Sequence, residues 1–171
     1  MANKASFTPE EWISVMESVA VTGMAVTAAE PSGLWGMLKE ALAGGTAMAA
    51  AKADPNTNEL VKAVIADFES DQGRAALQEA LQKRFEGVKT PADVVPLALD
   101  ILRDAAHVLD TKAPQDAPAF KAWLNGIALK VAEAASEGGF LGFGGVQVSA
   151  AERATLDEIA EALGIADQAS A

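Results

Sequence analysis

Apolar positions recur along this chain at intervals of three and four residues between strong caps and breakers, and that spacing predicts helices from end to end. Behind Thr8-Pro9-Glu10-Glu11, which supplies a capping hydroxyl, a proline at the first helical position and a glutamate to reach back to the cap, Trp12, Val15, Met16, Val19, Gly23 and Val26 share an arc of about 100°. Pro31-Ser32-Gly33 interrupts the chain before a second helix over 34–52, weakened at Gly44-Gly45. Asp54-Pro55-Asn56 ends it, and Asn56 with Glu59 is the expected cap of a third carrying Leu60, Val64, Ile65 and Phe68. Asp71 starts a fourth, with Ala75, Leu77, Ala80, Leu81 and Phe85 on one side and Gly87 as its stop.

Thr90-Pro91-Ala92-Asp93 opens a fifth helix in which Pro96 cannot donate to the backbone ladder, so a bend or a separate first turn is expected there. After a proline-rich turn over 113–118, Phe120, Trp123, Leu124, Ile127, Ala128 and Val131 form the cleanest apolar stripe in the sequence, which marks the expected central helix. Five glycines in the eight residues 138–145 end it. Ser149-Ala150-Ala151-Glu152 is a capping box for a last helix with Leu156, Ile159, Ala160 and Leu163 on one face and Gly164 as its C-terminal stop. The expected architecture is all-α: a single compact bundle of about seven helices over residues 1–171, with 1–7 and 165–171 frayed. Residues 28–36 and 134–142, aligned without gaps, are identical at four positions, a pattern that two pseudo-symmetric halves would produce.

Composition narrows the chemistry. Half the residues are hydrophobic and only 5% aromatic, so the core is expected to be built from small aliphatic groups. A net charge of −11 repels phosphate backbones, which argues against nucleic-acid binding. The longest uncharged stretches, 18–29, 41–51 and 138–151, fall short of the roughly 18–20 residues that cross a bilayer, so no transmembrane segment is expected. Early acidic residues at Glu10, Glu11 and Glu17 do not suit a secretory leader, and the expected location is the cytoplasm.

With no Cys and a single His, thiolate chemistry is excluded and a Ser-His-Asp triad could be built only around His107. On a helical wheel His107 falls with Asp100 and Asp104 on the polar edge, a solvated stripe before it is a three-ligand metal site. The glycine-rich segment lacks the ending of a nucleotide-binding loop, and Phe140, Leu141 and Phe143 make it an apolar turn or a docking surface. The carboxylates that stand out are Glu137, at the unfavourable C-terminal end of a helix dipole, and Glu152, on the same face as Leu156 and Ile159 and so turned inward. Glu152 is either the reciprocal cap of Ser149 or, with Glu137 and loop carbonyls, part of an all-oxygen site for Ca²⁺ or Mg²⁺.

The run Val131-Ala132-Glu133-Ala134-Ala135-Ser136-Glu137-Gly138, a linking loop, then Glu152 and Leu156 through Leu163, resembles the tellurite-resistance TerB-like family, in which a helix ends in Ala-Asp-Gly and the next begins around a Glu. Ala28-Ala29-Glu30 with Gly33 and Glu40 is similar to a more distant copy of the same pattern. The chain departs from the family in carrying Ser136-Glu137-Gly138 at the first motif and a longer, glycine-richer loop. The resemblance implies an all-helical, acidic, non-enzymatic binding module of bacterial stress response, with a metal site at Glu137 and Glu152, and Glu30 and Glu40 secondary. It also implies a protein partner. The alternative is a metal-free interaction or scaffolding subunit, a homodimer among its forms, that pairs through Phe140, Leu141 and Phe143 or through the Ala-rich second helix. An enzyme ranks third, since neither a nucleophile with a histidine partner nor a cofactor fingerprint is present.

Overall fold

The computed structural model describes residues 1–29, 45–136 and 149–165, and every regular element among them is helical. A 3₁₀ turn, Lys4–Ser6, leads into α1 (Pro9–Ala29). Residues 45–53 are helical (α2) and are followed by α3 (Glu59–Glu69), α4 (Asp71–Arg84), α5 (Pro91–Lys112), α6 (Ala117–Ser136) and α7 (Ala150–Ala162). The all-α expectation therefore holds. Most of both segments of the internal similarity lies outside the described residues.

The capping chemistry works largely as the sequence implies. Thr8 N–H donates to Glu11 Oε2 at 2.8 Å and Glu11 N–H to Thr8 Oγ1 at 3.2 Å, closing the box at the start of α1. At the start of α5 the Asp93 carboxylate accepts both the Thr90 N–H at 3.1 Å and the Thr90 hydroxyl at 2.8 Å, while the Asp93 N–H donates to the Thr90 carbonyl. At the end of α7, Ile165 N–H reaches Ala160 O and Gly164 N–H reaches Glu161 O, a Schellman closure that needs the positive φ of Gly164 at +68°. One cap differs: Asn58, not Asn56, caps α3, its side chain accepting from Leu60 N–H at 2.9 Å, while Glu59 pairs with Lys62. α5 runs as one helix through Pro96, because the hydrogen bond that proline forfeits falls to the exposed first turn at Ala92, where water replaces it.

The central helix is α1, not α6. It packs chiefly on α5 and also against α6, α7, α4 and α3. Trp12, Val15, Met16 and Val19 are buried on one side, and Val21, Ala25, Ser18 and Thr22 on the others. A helix enclosed all round loses the contrast between faces that makes a stripe conspicuous, whereas α6, flanking the core, keeps it. The same helix meets the length and hydropathy of a membrane span, with mean hydropathy 1.4 over its best 18-residue window, and 61% of that window is buried inside the bundle.

α4 is peripheral. Ala75 is exposed, and the helix docks instead through Leu77 and Gly73, where a Cβ would lie 2.1 Å from the Asp67 carbonyl oxygen. Residues 1–7, expected to fray, are tied down. Ala2 N–H donates to the buried Asp116 carboxylate at 2.6 Å, Lys4 pairs with Asp67 at 2.8 Å, and Phe7 packs on Trp12 with ring centroids 5.6 Å apart.

If α1 is the core element, Met16→Ala will lower unfolding free energy by about 2–5 kcal/mol in urea denaturation, the usual cost of emptying a well-packed site. Leu129→Ala on the exposed side of α6 will change it by less than about 0.5 kcal/mol.

Candidate functional site

Among the four carboxylates that the sequence nominates, Glu152 lies in the described part of the molecule, while Glu30, Glu40 and Glu137, like Phe140, Leu141 and Phe143, lie outside it. Glu152 is the third residue of α7, only 2% exposed, and it does face inward. Its Oε2 accepts the Ser149 N–H at 2.7 Å while Ser149 Oγ accepts the Glu152 N–H at 3.1 Å. Its Oε1 is buried with no hydrogen-bond partner among the described residues. A carboxylate oxygen withdrawn from water and left unpaired is costly, which makes this atom an acceptor with unspent capacity. A divalent cation takes six or more oxygens, and no group of three His, Asp or Glu side chains able to hold a metal occurs among the described residues. The described part of the site therefore offers a single side-chain ligand.

The polar stripe of α5 is a solvated edge. Asp100 pairs with Arg103 at 2.7 Å, Asp104 faces Arg84 at 3.8 Å, and His107 is exposed.

A second concentration of charge went unnoticed in the sequence. Glu17, in the middle of α1, is 2% exposed and faces Arg84 Nε at 3.5 Å, while Arg84 Nη2 lies 3.8 Å from Asp104. Burial pushes the Glu17 carboxyl above the ordinary glutamate range, against the opposing pull of Arg84. This pair lines a cleft of about 710 Å³ where α1, α4 and α5 meet. On the wheel Glu17 falls about 140° from Trp12, on the far side of the apolar arc, so amphipathicity alone assigns it to solvent. The available signal was weaker: Ile13, Val21 and Ala25 are also apolar outside that arc, which is the mark of a helix covered twice over.

A smaller hollow of about 270 Å³ separates α2 from α6, walled by Ala47, Ala50, Trp123, Gly126 and Ile127. Trp123 Nε1 is buried without a hydrogen-bond partner, and a Cβ on Gly126 would meet nothing within 4 Å.

No protein-family model matches this chain, and neither a curated protein nor a solved structure is significantly similar to it.

The carboxylates fall into two groups with opposite pH signatures. For Asp67 and Asp116 burial works upward but is outweighed, at Asp67 by Lys4, Trp12 and Ser70, at Asp116 by the Ala2 amide, Asn58 and the chain's α-ammonium, so both titrate below the ordinary aspartate range. Glu11 and Asp93 are lowered too, Glu11 first by the Thr8 amide and then by Lys112, and Asp93 by Thr90. The stability these four contribute is present above the ordinary carboxylate range and is lost as pH falls through their depressed folded-state values. Glu17 runs the other way: its contribution is present below the ordinary glutamate value and is lost as pH rises through its raised one. Urea midpoints at pH 4 and pH 8 will therefore show Glu17→Gln gaining on wild type as pH rises, and midpoints followed from pH 5 down to about pH 2, through and below the ordinary aspartate value, will show Asp116→Asn losing less than wild type.

Proposed function

We propose that this protein is a non-enzymatic helical binding module that takes a divalent cation, Ca²⁺ or Mg²⁺, at Glu152, in keeping with the resemblance to the TerB-like family. The observation that supports this reading is the buried, unpartnered Oε1 of Glu152, whose other oxygen is fixed by the cap of α7. Capping serves the cation reading, because it holds the carboxylate in one rotamer and so lowers the entropy lost on coordination. Glu137, Glu30 and Glu40 enter this proposal from the family pattern alone.

The second reading is a metal-free interaction module. It is favoured by the hollow lined by Trp123, whose buried indole N–H has no acceptor among the described residues, and by Gly126, which leaves room for an incoming apolar group.

Isothermal titration of Ca²⁺ and of Mg²⁺ decides between them. Wild type will give saturable heat with at least one ion, and Glu152→Gln, which keeps a side chain able to accept the Ser149 N–H but removes the charge, will weaken it at least about tenfold. Glu137→Gln will weaken it in the same direction. Wild type without heat for either ion would end the cation reading.

A further inference from the structure

The cleft between α1, α4 and α5 carries more charge than its internal pair uses up. On the α1 wall Glu10 and Ile13 stand in line with Glu17, and on the α4 wall Lys83 adjoins Arg84, with Leu97 of α5 completing the apolar lining. Glu17 and Arg84 are matched to each other. Glu10 and Lys83 are both exposed, and neither has an ion-pair partner among the described residues. The cleft thus presents an uncommitted anion on one wall and an uncommitted cation on the other, and Ile13 and Leu97 give it apolar lining. Its volume, about 710 Å³, falls within the roughly 300–1,000 Å³ typical of ligand sites.

That arrangement selects by charge. A simple anion is repelled by the net charge of −11 and by Glu10, Glu17 and Asp104 around the same cleft. A simple cation finds Lys83 and Arg84 on the opposite wall. A molecule that is neutral overall and bears both charges at separate ends meets neither penalty, and gains two charge-assisted contacts at the rim with its apolar body laid on Ile13 and Leu97. We propose that this cleft binds a short apolar peptide with free termini, its α-ammonium on Glu10 and its carboxylate on Lys83. Arg84 would add a second donor to the carboxylate, and Glu17 and Asp104 are the positioning residues that hold the guanidinium at the cleft.

The dipeptide Leu-Leu is the probe, titrated by calorimetry against the full-length protein alongside its N-acetylated and C-amidated forms. Leu-Leu will bind, and each end-blocked form will bind at least about tenfold more weakly. Glu10→Gln and Lys83→Gln, at exposed positions and checked by thermal melting for an unchanged fold, will each lower affinity for Leu-Leu by a similar factor. For the C-amidated form, Lys83→Gln will make no further difference, because the contact it removes is already absent. No binding of Leu-Leu at millimolar concentration overturns the proposal, as does equal binding of the end-blocked forms or unchanged affinity in both variants. The cation titration at Glu152 uses neither residue, so the two readings fail independently.

Discussion

The buried middle of a core helix has no solvent to receive its polar atoms, and this constraint on α1 organises much of the molecule. Ser18 and Thr22 turn their hydroxyls onto their own helix, donating to Val15 O and Ser18 O, both at 2.7 Å. Trp12 Nε1 donates to Asp67 of α3 at 2.6 Å, and Glu17 draws Arg84 down from α4. Glu11 is spent on the α1 cap and on Lys112 of α5, 3.0 Å away. Each settlement that leaves the helix ties another element to it, so the polar residues of α1 act as connectors between helices. Ser14 Oγ is the exception, buried without a partner.

The same logic secures the beginning of the chain. Asp116, in the turn before α6, accepts from Ala2 N–H and from Asn58 Nδ2, and Asn58 in turn caps α3. One buried carboxylate thereby joins the N-terminal segment, the start of α3 and the start of α6. Asp67 repeats the device at the other end of α3, between Lys4 and Trp12. Both tie-points are carboxylates sustained by donors against burial, and that couples the docking of the N-terminal segment to pH more tightly than its few apolar contacts would.

Glu152 and Glu17 are equally buried and differ in what they are given. Glu152 has one oxygen committed to a backbone amide and one with no partner among the described residues. Glu17 has a guanidinium, which it faces at 3.5 Å where the cleft opens. A buried acid is thus a candidate ligand or a positioning group according to its partners, which burial alone does not reveal.

Helix positions, most caps and the inward turn of Glu152 were legible from the residues alone, because each depends on neighbours within four positions: a hydroxyl and a glutamate three apart, a glycine after the last turn, an apolar arc. The Ser149–Glu152 box and the stop at Gly164 are of this kind. Which helix would lie innermost was not, since the arc of α6 looks cleaner than that of α1 for the very reason that α6 is only half covered. Glu17 is hidden from such reading for the same reason: its place on the wheel is outside the apolar arc, and its burial comes from packing between helices, which a local pattern does not contain. Ala75, expected on the apolar side, is exposed and Gly73 is buried, because the approach of Asp67 O to Gly73 is a contact between two helices. Local periodicity decides which residues can share a face. Only the assembled bundle decides how many faces are covered, because burial is a property of what arrives from elsewhere in the chain.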